Sequence, residues 1–600
     1  MYLRSTFGEQ FSNRSYTPSS LFFFLLLFLT VASCRSEPED VPVDAENDIS
    51  GIDFKRTQNE VALSLPGEPD ALNPLLTTQA YSRYVFENIF QTLNYVDPQT
   101  YELKPYLASR PEIIEQEDGT IDYRYELVDG ATWPNGSPVT TVDVDFSFKA
   151  LLNPLVQAGR YRSFYTDVYD LVVEDERNFT VRTRQPYLLT DDALASVYIY
   201  PAYAYDPDGI MAGIPIAELA DPDQAAVLAE SNEGMQVFAE SFNSFETAHD
   251  PSKIVGSGAY ELESWEEGQR IRLLRRDDYW AADATEGALA ALPEALVFAI
   301  IPDAQTAVVA LQDEQVDVVI EMDADRFDEL REDPRITEKV KFLTEPSFVA
   351  YSVIMNMEDP MLSDAKTRQA LAHLIDVDLL IEEYYGGMGM RLSNAVLPMR
   401  PYYDKDLALR QYDVAAAIAL LAEAGWTDSD GDGILDRDGT PLALTLLAFD
   451  TPTGASIGLL LKEGCREAGI ELNLQNMEGR ALYGELNQGS YQLATYAQGY
   501  QPSADEFTQS WSTRSVPPNG TNRMRFGNQE SDQIIDQIRV TLDPAAREPL
   551  YQRMQKIFYE EQPLIFLYSP LSRIVISRRF AVESSSLTPG FRLGTFRHLQ

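Results

Sequence analysis

The chain has 600 residues, with 94 acidic side chains against 47 Lys and Arg and a formal net charge of −47. A field of that sign repels nucleic-acid phosphates and anionic membrane surfaces, so no nucleic-acid partner is expected. The length implies more than one domain, and a 44% apolar share supplies several cores.

Residues 1–33 read as an export signal. Arg4 and Arg14 supply positive charge, and residues 21–31 (LFFFLLLFLTV) form an uncharged apolar run too short for a membrane span. Val31-Ala32-Ser33-Cys34 follows and resembles the lipobox of bacterial lipoproteins, whose cysteine is acylated and becomes the mature N-terminus. That resemblance implies lipidation at Cys34 and a protein anchored in the cell envelope, in the periplasm or on the outer face of the cytoplasmic membrane. Cys465 then has no disulfide partner and is expected as a small buried residue on a helix. Residues 34–52 are acidic and proline-containing with almost nothing to bury, as in a tether.

A strand at 61–65 opens the folded region, and Pro66–Leu75 (PGEPDALNPL) follows it. Trp133-Pro134-Asn135-Gly136 is a turn between strands, and a helix starts at Thr141. Gly256-Ser257-Gly258 permits a tight bend before a strand at 259–264, and Glu267-Gly268 turns it into another at 270–274. Residues 295–301 form a buried strand stopped by Pro302. Asp303 caps a helix at 304–312 that presents Ala307, Val308 and Leu311 on one face, and 316–320 is a second strand. Strand, helix and strand so close together make a βαβ unit with parallel strands. The first strand is taken as a bridge between lobes and the helix as the start of the second lobe. An alanine-rich helix at 412–424 ends at Gly425. Strands alternate with helices in both halves, which implies an α/β architecture with mixed sheets.

Several of these stretches carry a resemblance. Lys104-Pro105-Tyr106-Leu107-Ala108, residues 123–145 (YRYELVDGATWPNGSPVTTVDVD) and residues 254–280 (IVGSGAYELESWEEGQRIRLLRRDDYW) occur in that order. They are followed by Asn356 with Thr367-Arg368-Gln369-Ala370-Leu371 and Ile375-Asp376, then by residues 412–440. Together with the Pro66–Leu75 segment they resemble the extracytoplasmic solute-binding proteins of ABC importers, the oligopeptide/dipeptide-binding branch called family 5. The resemblance implies a two-lobed periplasmic-binding-protein-like fold of type II, with an extra subdomain in the N-terminal lobe and a two-strand hinge. The N-terminal lobe is expected at 53–298 plus 566–600, with the inserted subdomain at about 82–200. The second lobe is expected at 299–565, and the hinge at 295–301 and 563–568. It further implies a monomer that binds a small-molecule or peptide ligand between the lobes and delivers it to ABC permease subunits, with no cofactor.

In the family's peptide binders, a "GW.aD..dP" segment supplies an aspartate for the peptide's amine. Here Gly499-Tyr500 replaces Gly-Trp, and Ser503 stands where that aspartate is expected; the nearest acids are Asp505 and Glu506. The expected ligand contacts are Gln498, Gly499, Tyr500, Gln501 and Asp505 on one lobe, with Asn356 beside them. From the facing lobe come Leu65, Pro66, Gly67, Glu68, Ser257 and Gly258.

Catalytic chemistry finds few groups. Asp428, Asp430, Asp432 and Asp436 fit the start of an EF-hand-like loop, but Gly439 occupies the position of the bidentate acid, so a polar surface loop is expected and Ca²⁺ only as a weak candidate. Gly454-Ala455-Ser456-Ile457-Gly458 fits G-x-S-x-G, yet several loop residues separate it from the preceding strand, and only His598 lies downstream. The three histidines are scattered, and no HExxH, CxxC or phosphate loop is present. No enzyme is expected. The competing readings are an extracytoplasmic hydrolase and a solute-sensing receptor not coupled to transport.

Overall fold

Glu60–Leu65 sits in the middle of a seven-stranded sheet because five of its six residues are buried, and a strand apolar on both faces needs cover on both. The computed structural model describes residues 49 and 52–599, so the export signal, Cys34 and nearly all of the tether lie outside the described residues. The sheet runs in the order Val340–Leu343, Ile574–Ser577, Val318–Val319, Glu60–Leu65, Ala295–Ile300, Arg270–Arg275, Tyr260–Glu266. Glu60–Leu65 pairs in parallel with Ala295–Ile300 on one side and Val318–Val319 on the other. The two strands of the βαβ unit are therefore parallel, as their sequence implies, with the first strand of the domain inserted between them. Asp303 caps the connecting helix Ala304–Gln312, its carboxylate accepting the Thr306 N–H at 2.8 Å.

A second, six-stranded sheet runs Gly389–Arg391, Leu564–Pro570, Val349–Met355, Leu493–Gly499, Ala443–Phe449, Glu471–Met477. It is mixed: Val349–Met355 pairs antiparallel with both its neighbours, and Ala443–Phe449 pairs parallel with both of its own. The chain passes from the first sheet to the second through residues 344–348 and returns through 571–573.

These two passages differ from the expected hinge. Ala295–Ile300 and Leu564–Pro570 are interior strands, one in each sheet, so the expected boundaries at 298/299 and 565/566 fall inside strands. The helix Ala304–Gln312 also stays with the first sheet. Its buried Ala307, Val308 and Leu311 pack in one core with Ala62, Val319 and Val575, all carried by strands of that sheet. An apolar run reveals that a segment is buried, but not which of two sheets covers it.

A smaller four-stranded antiparallel sheet, Glu112–Glu115, Ile121–Glu126, Asn178–Thr183 and Val168–Val173, lies in the segment expected as an inserted subdomain. Trp133 and the Thr141–Leu152 helix belong to the same region. The Trp133 indole N–H donates to Asp143 Oδ2 at 3.1 Å, and Asp143 closes a capping box with Thr140. Gly256 and Gly258 lie where no side chain fits. A Cβ on either would fall 2.1 Å from the Ile89 carbonyl oxygen or 2.5 Å from that of Asn88, respectively. Their close approach fixes the end of the Ala80–Phe86 helix against the first sheet. Cys465 is fully buried, as its place in the helical pattern implies, and burial pushes its thiol up to about 12. Among the described residues no helix is long and apolar enough to cross a membrane.

Candidate functional site

A cavity of about 800 Å³ opens between the chain segments that the two sheets carry. One side is built by residues 74–95, which include the Ala80–Phe86 helix, and by residues from the segment around the four-stranded sheet such as Tyr161, Phe164, Asp192 and Tyr198. Phe348 and the loop Tyr500–Ser503 line it from the second sheet, and Phe591 and Arg592 from the C-terminal segment. The walls are rich in tyrosine and phenylalanine, side chains that offer large apolar faces with a polar edge at low entropic cost.

Tyr500 and Gln501 line this cavity, with Pro502 and Ser503 beside them. The Tyr500 backbone N–H donates to the Phe348 carbonyl at 2.7 Å and its hydroxyl to the Ala395 carbonyl at 2.8 Å. Burial drives its phenol well above the usual range. With the hydroxyl already satisfied, Tyr500 offers a ring face to the cavity.

Asp505 is not available in the way its sequence position implies. It is 7% exposed and accepts from Arg400 Nη2 at 3.1 Å and from the Tyr402 hydroxyl at 2.9 Å. Burial raises its carboxyl while Arg400 and the Tyr402 hydroxyl oppose the rise. A carboxylate so enclosed needs a counter-charge at all times, and Arg400 supplies it.

The remaining expected contacts do not line the cavity. Asn356 donates its amide to the carbonyls of Tyr491 at 3.0 Å and Gly489 at 3.3 Å. Glu68 accepts the Trp265 indole N–H at 2.9 Å and the Gly268 N–H at 3.0 Å, locking one loop on another. Leu65 is fully buried as the end of the central strand, and beyond Pro66 the Gly67 backbone packs on the Tyr81 ring. Ser257 donates to Gln91 Oε1 at 2.9 Å, and Gly258 packs on the Asn88 backbone. Gln498 and Gly499 end the strand that precedes the Tyr500 loop.

Of the two chemical alternatives, the nucleophile elbow finds no support in the geometry and the cation loop is matched by three of its four acids. Ser456 lies inside the helix Pro452–Glu467, buried, and donates to the Pro452 carbonyl at 2.8 Å, so it forms no strand-to-helix nucleophile elbow. The carboxylates of Asp428, Asp430 and Asp432 gather within 4.8 Å on an exposed loop, the spacing a cation would use. Asp436 turns away to accept the Ser429 N–H at 2.8 Å, and Asp428 accepts N–H groups of Gly431 and Gly433.

Asp192 is the cavity residue that the sequence did not single out. It is partly buried and lines the cavity, and its carboxyl accepts no hydrogen bond or ion pair from another described side chain, with Arg110 and Arg400 acting on it only at a distance. Burial first, and Asp191 next to it, push its carboxyl up to about 7, against the pull of Arg110 and Arg400. The sign of the resulting pH effect is definite. Between about pH 4 and about pH 7 the unfolded chain has ionised this carboxyl while the folded chain still holds its proton, so the native state loses stability as pH rises through that window. Asp192→Asn is expected to remove this component. Urea unfolding at pH 4.5 and 7.5 should show the variant gaining on the parent at the higher pH, by roughly 1–3 kcal/mol. An equal difference at both pH values would contradict it.

With the site described, comparison with known proteins places the chain. Residues 102–518 match the family model described as bacterial extracellular solute-binding proteins, family 5, middle region. The chain belongs to this family. Among relatives of this solute-binding protein, the oligopeptide-binding protein AppA of Bacillus subtilis is 26% identical over 515 residues, covering 84% of this chain and 85% of the relative. The solved structure of B. subtilis AppA in complex with a nonapeptide superposes with a TM-score of 0.63 at 22% identity, covering 90% of this chain and 99% of that one. HbpA2 from Haemophilus parasuis gives a TM-score of 0.72 at 18% identity, covering 90% of this chain and 99% of that one. These likenesses carry the two-lobed fold that the sequence motifs imply.

Proposed function

We propose that this family 5 solute-binding protein captures a peptide or peptide-like solute in the cavity between its two sheets and hands it to the permease subunits of an ABC importer. The carrying observation is the two-sided lining: Phe348 and Tyr500–Ser503 reach the cavity from one sheet, and residues 74–95 from the other. A solute touching both walls favours a closed arrangement over an open one, which biases motion about the two passages at 344–348 and 571–573. The cavity's volume suits a few residues of extended chain, and its aromatic walls accept varied side chains. None of the three histidines lines it, which favours a peptide over a metal chelate held by imidazole.

The decisive experiment is to denature protein purified from its native envelope and to analyse the released small molecules by mass spectrometry. Short peptides are expected; a released non-peptide solute would overturn the peptide reading.

The mature protein is proposed to begin at an acylated Cys34. Blocking acylation with Cys34→Ser should release it from the membrane fraction, and a variant still wholly membrane-bound would refute the anchor.

A further inference from the structure

Five charged groups of two walls meet beside the cavity. Arg110 pairs with Asp191, and its other nitrogen donates to Asn94 Oδ1 at 2.7 Å. Arg400 pairs with Asp505 at 3.1 Å and also donates to the carbonyls of Gln501 and Pro502. Arg110 and the two terminal nitrogens of Arg400 therefore serve other acceptors, while Arg400 Nε is buried without a partner. Asp192 is the fifth member, close enough to feel Asp191, Arg110 and Arg400. Two cations face three carboxylates, and the carboxylate left over is the one that lines the cavity. Asp191 Oδ1 is also buried without a partner.

We propose that Asp192 receives a primary ammonium group of the solute, so that the bound molecule enters this corner as a cation. The proposal rests on the peptide reading above and deepens it. An ammonium group fits because it supplies one positive charge and three donors in a small volume, matching the one carboxylate of this group that lines the cavity. The assignment also accounts for the Tyr500 loop. Where the resemblance calls for an aspartate, this chain has Ser503, and Asp505 is closed off by Arg400 and Tyr402. The negative charge that faces the cavity comes instead from the inserted subdomain.

Calorimetric titration of ligand-stripped protein tests it with three pools of synthetic tetra- and pentapeptides. The first pool has free N-termini and no Lys or Arg; the second is the same pool N-acetylated; the third is acetylated with one lysine placed at varied positions. The parent protein is expected to bind the first pool at least tenfold more tightly than the second. Asp192→Asn should lose that preference while binding the second pool as the parent does. Tight binding of the third pool that depends on Asp192 would support the ammonium receptor and place the ammonium on a side chain. Equal binding of free and acetylated pools by the parent would overturn the assignment and leave the peptide reading intact. Binding of no pool would overturn both. The free-versus-acetylated comparison on the parent protein does not depend on whether the variant folds.

Discussion

Asp505→Ala is expected to lower the stability of the protein by about 3–5 kcal/mol, the range for stranding one partner of a buried ion pair. Arg400 and Asp505 have side chains only 4% and 6% exposed, so neither can turn to water. Removing the carboxylate leaves the guanidinium without its counter-charge and the Tyr402 hydroxyl without its acceptor. The damage spreads through packing. Tyr402 stacks on Tyr551 with ring centroids 4.0 Å apart, and the Tyr551 hydroxyl donates to the Asp505 carbonyl at 2.8 Å. Removing both charges together, as in Arg400→Met with Asp505→Leu, should recover much of the loss, because no ion then remains unpaired. Urea midpoints for the single and double variants measure this. A single-variant loss below about 1 kcal/mol, the level of a surface ion pair, would show that the pair is solvated rather than buried.

A similar loss, about 3–5 kcal/mol, is expected for Asp317→Ala. Asp317 and Arg579 are each 2% exposed in their side chains, and Asp317 Oδ1 accepts from Arg579 Nη2 at 2.7 Å and Nε at 3.1 Å. Its other oxygen accepts from Arg56 Nη1 at 3.0 Å and from the Ala62 backbone N–H at 2.8 Å. Arg579 in turn donates to the carbonyls of Arg56, Gln58 and Glu60. One carboxylate thus ties together the entry of the chain into the first sheet, the strand after the βαβ helix and the C-terminal segment. Limited proteolysis alongside urea unfolding should show new cleavage near residues 55–60 in the variant. An unchanged midpoint with no new cleavage would contradict the bridging role.

Both ion pairs show why some of this molecule was legible in its sequence and some was not. The Asp303 cap and the Trp133 turn rest on contacts within a few residues, and the parallel βαβ unit follows from the close succession of strand, helix and strand, so pattern alone recovers them. The lobes follow from motifs carried along the whole chain. The passages between sheets were misplaced because residues 295–300 and 564–570 are apolar for a reason that sequence does not separate from a hinge: each is an interior strand. Asp505 looked like a free acid in a polar loop, since its partners Arg400 and Tyr402 lie about a hundred residues away. Asp192 carries no local signal in its sequence; it lies in the first turn of a short helix, and only the fold shows that Arg110 pairs with Asp191 beside it. Side chains whose meaning depends on distant partners are invisible to local patterns.

Hydrogen–deuterium exchange on ligand-stripped protein, with and without the free-amine peptide pool, tests most directly whether the solute sits in the cavity between the two sheets. The account expects slowed exchange at residues 74–95, 187–198 and 499–505, with the exposed acidic loop 428–436 unchanged. Protection confined to one sheet's segments, or centred away from the cavity, would contradict it.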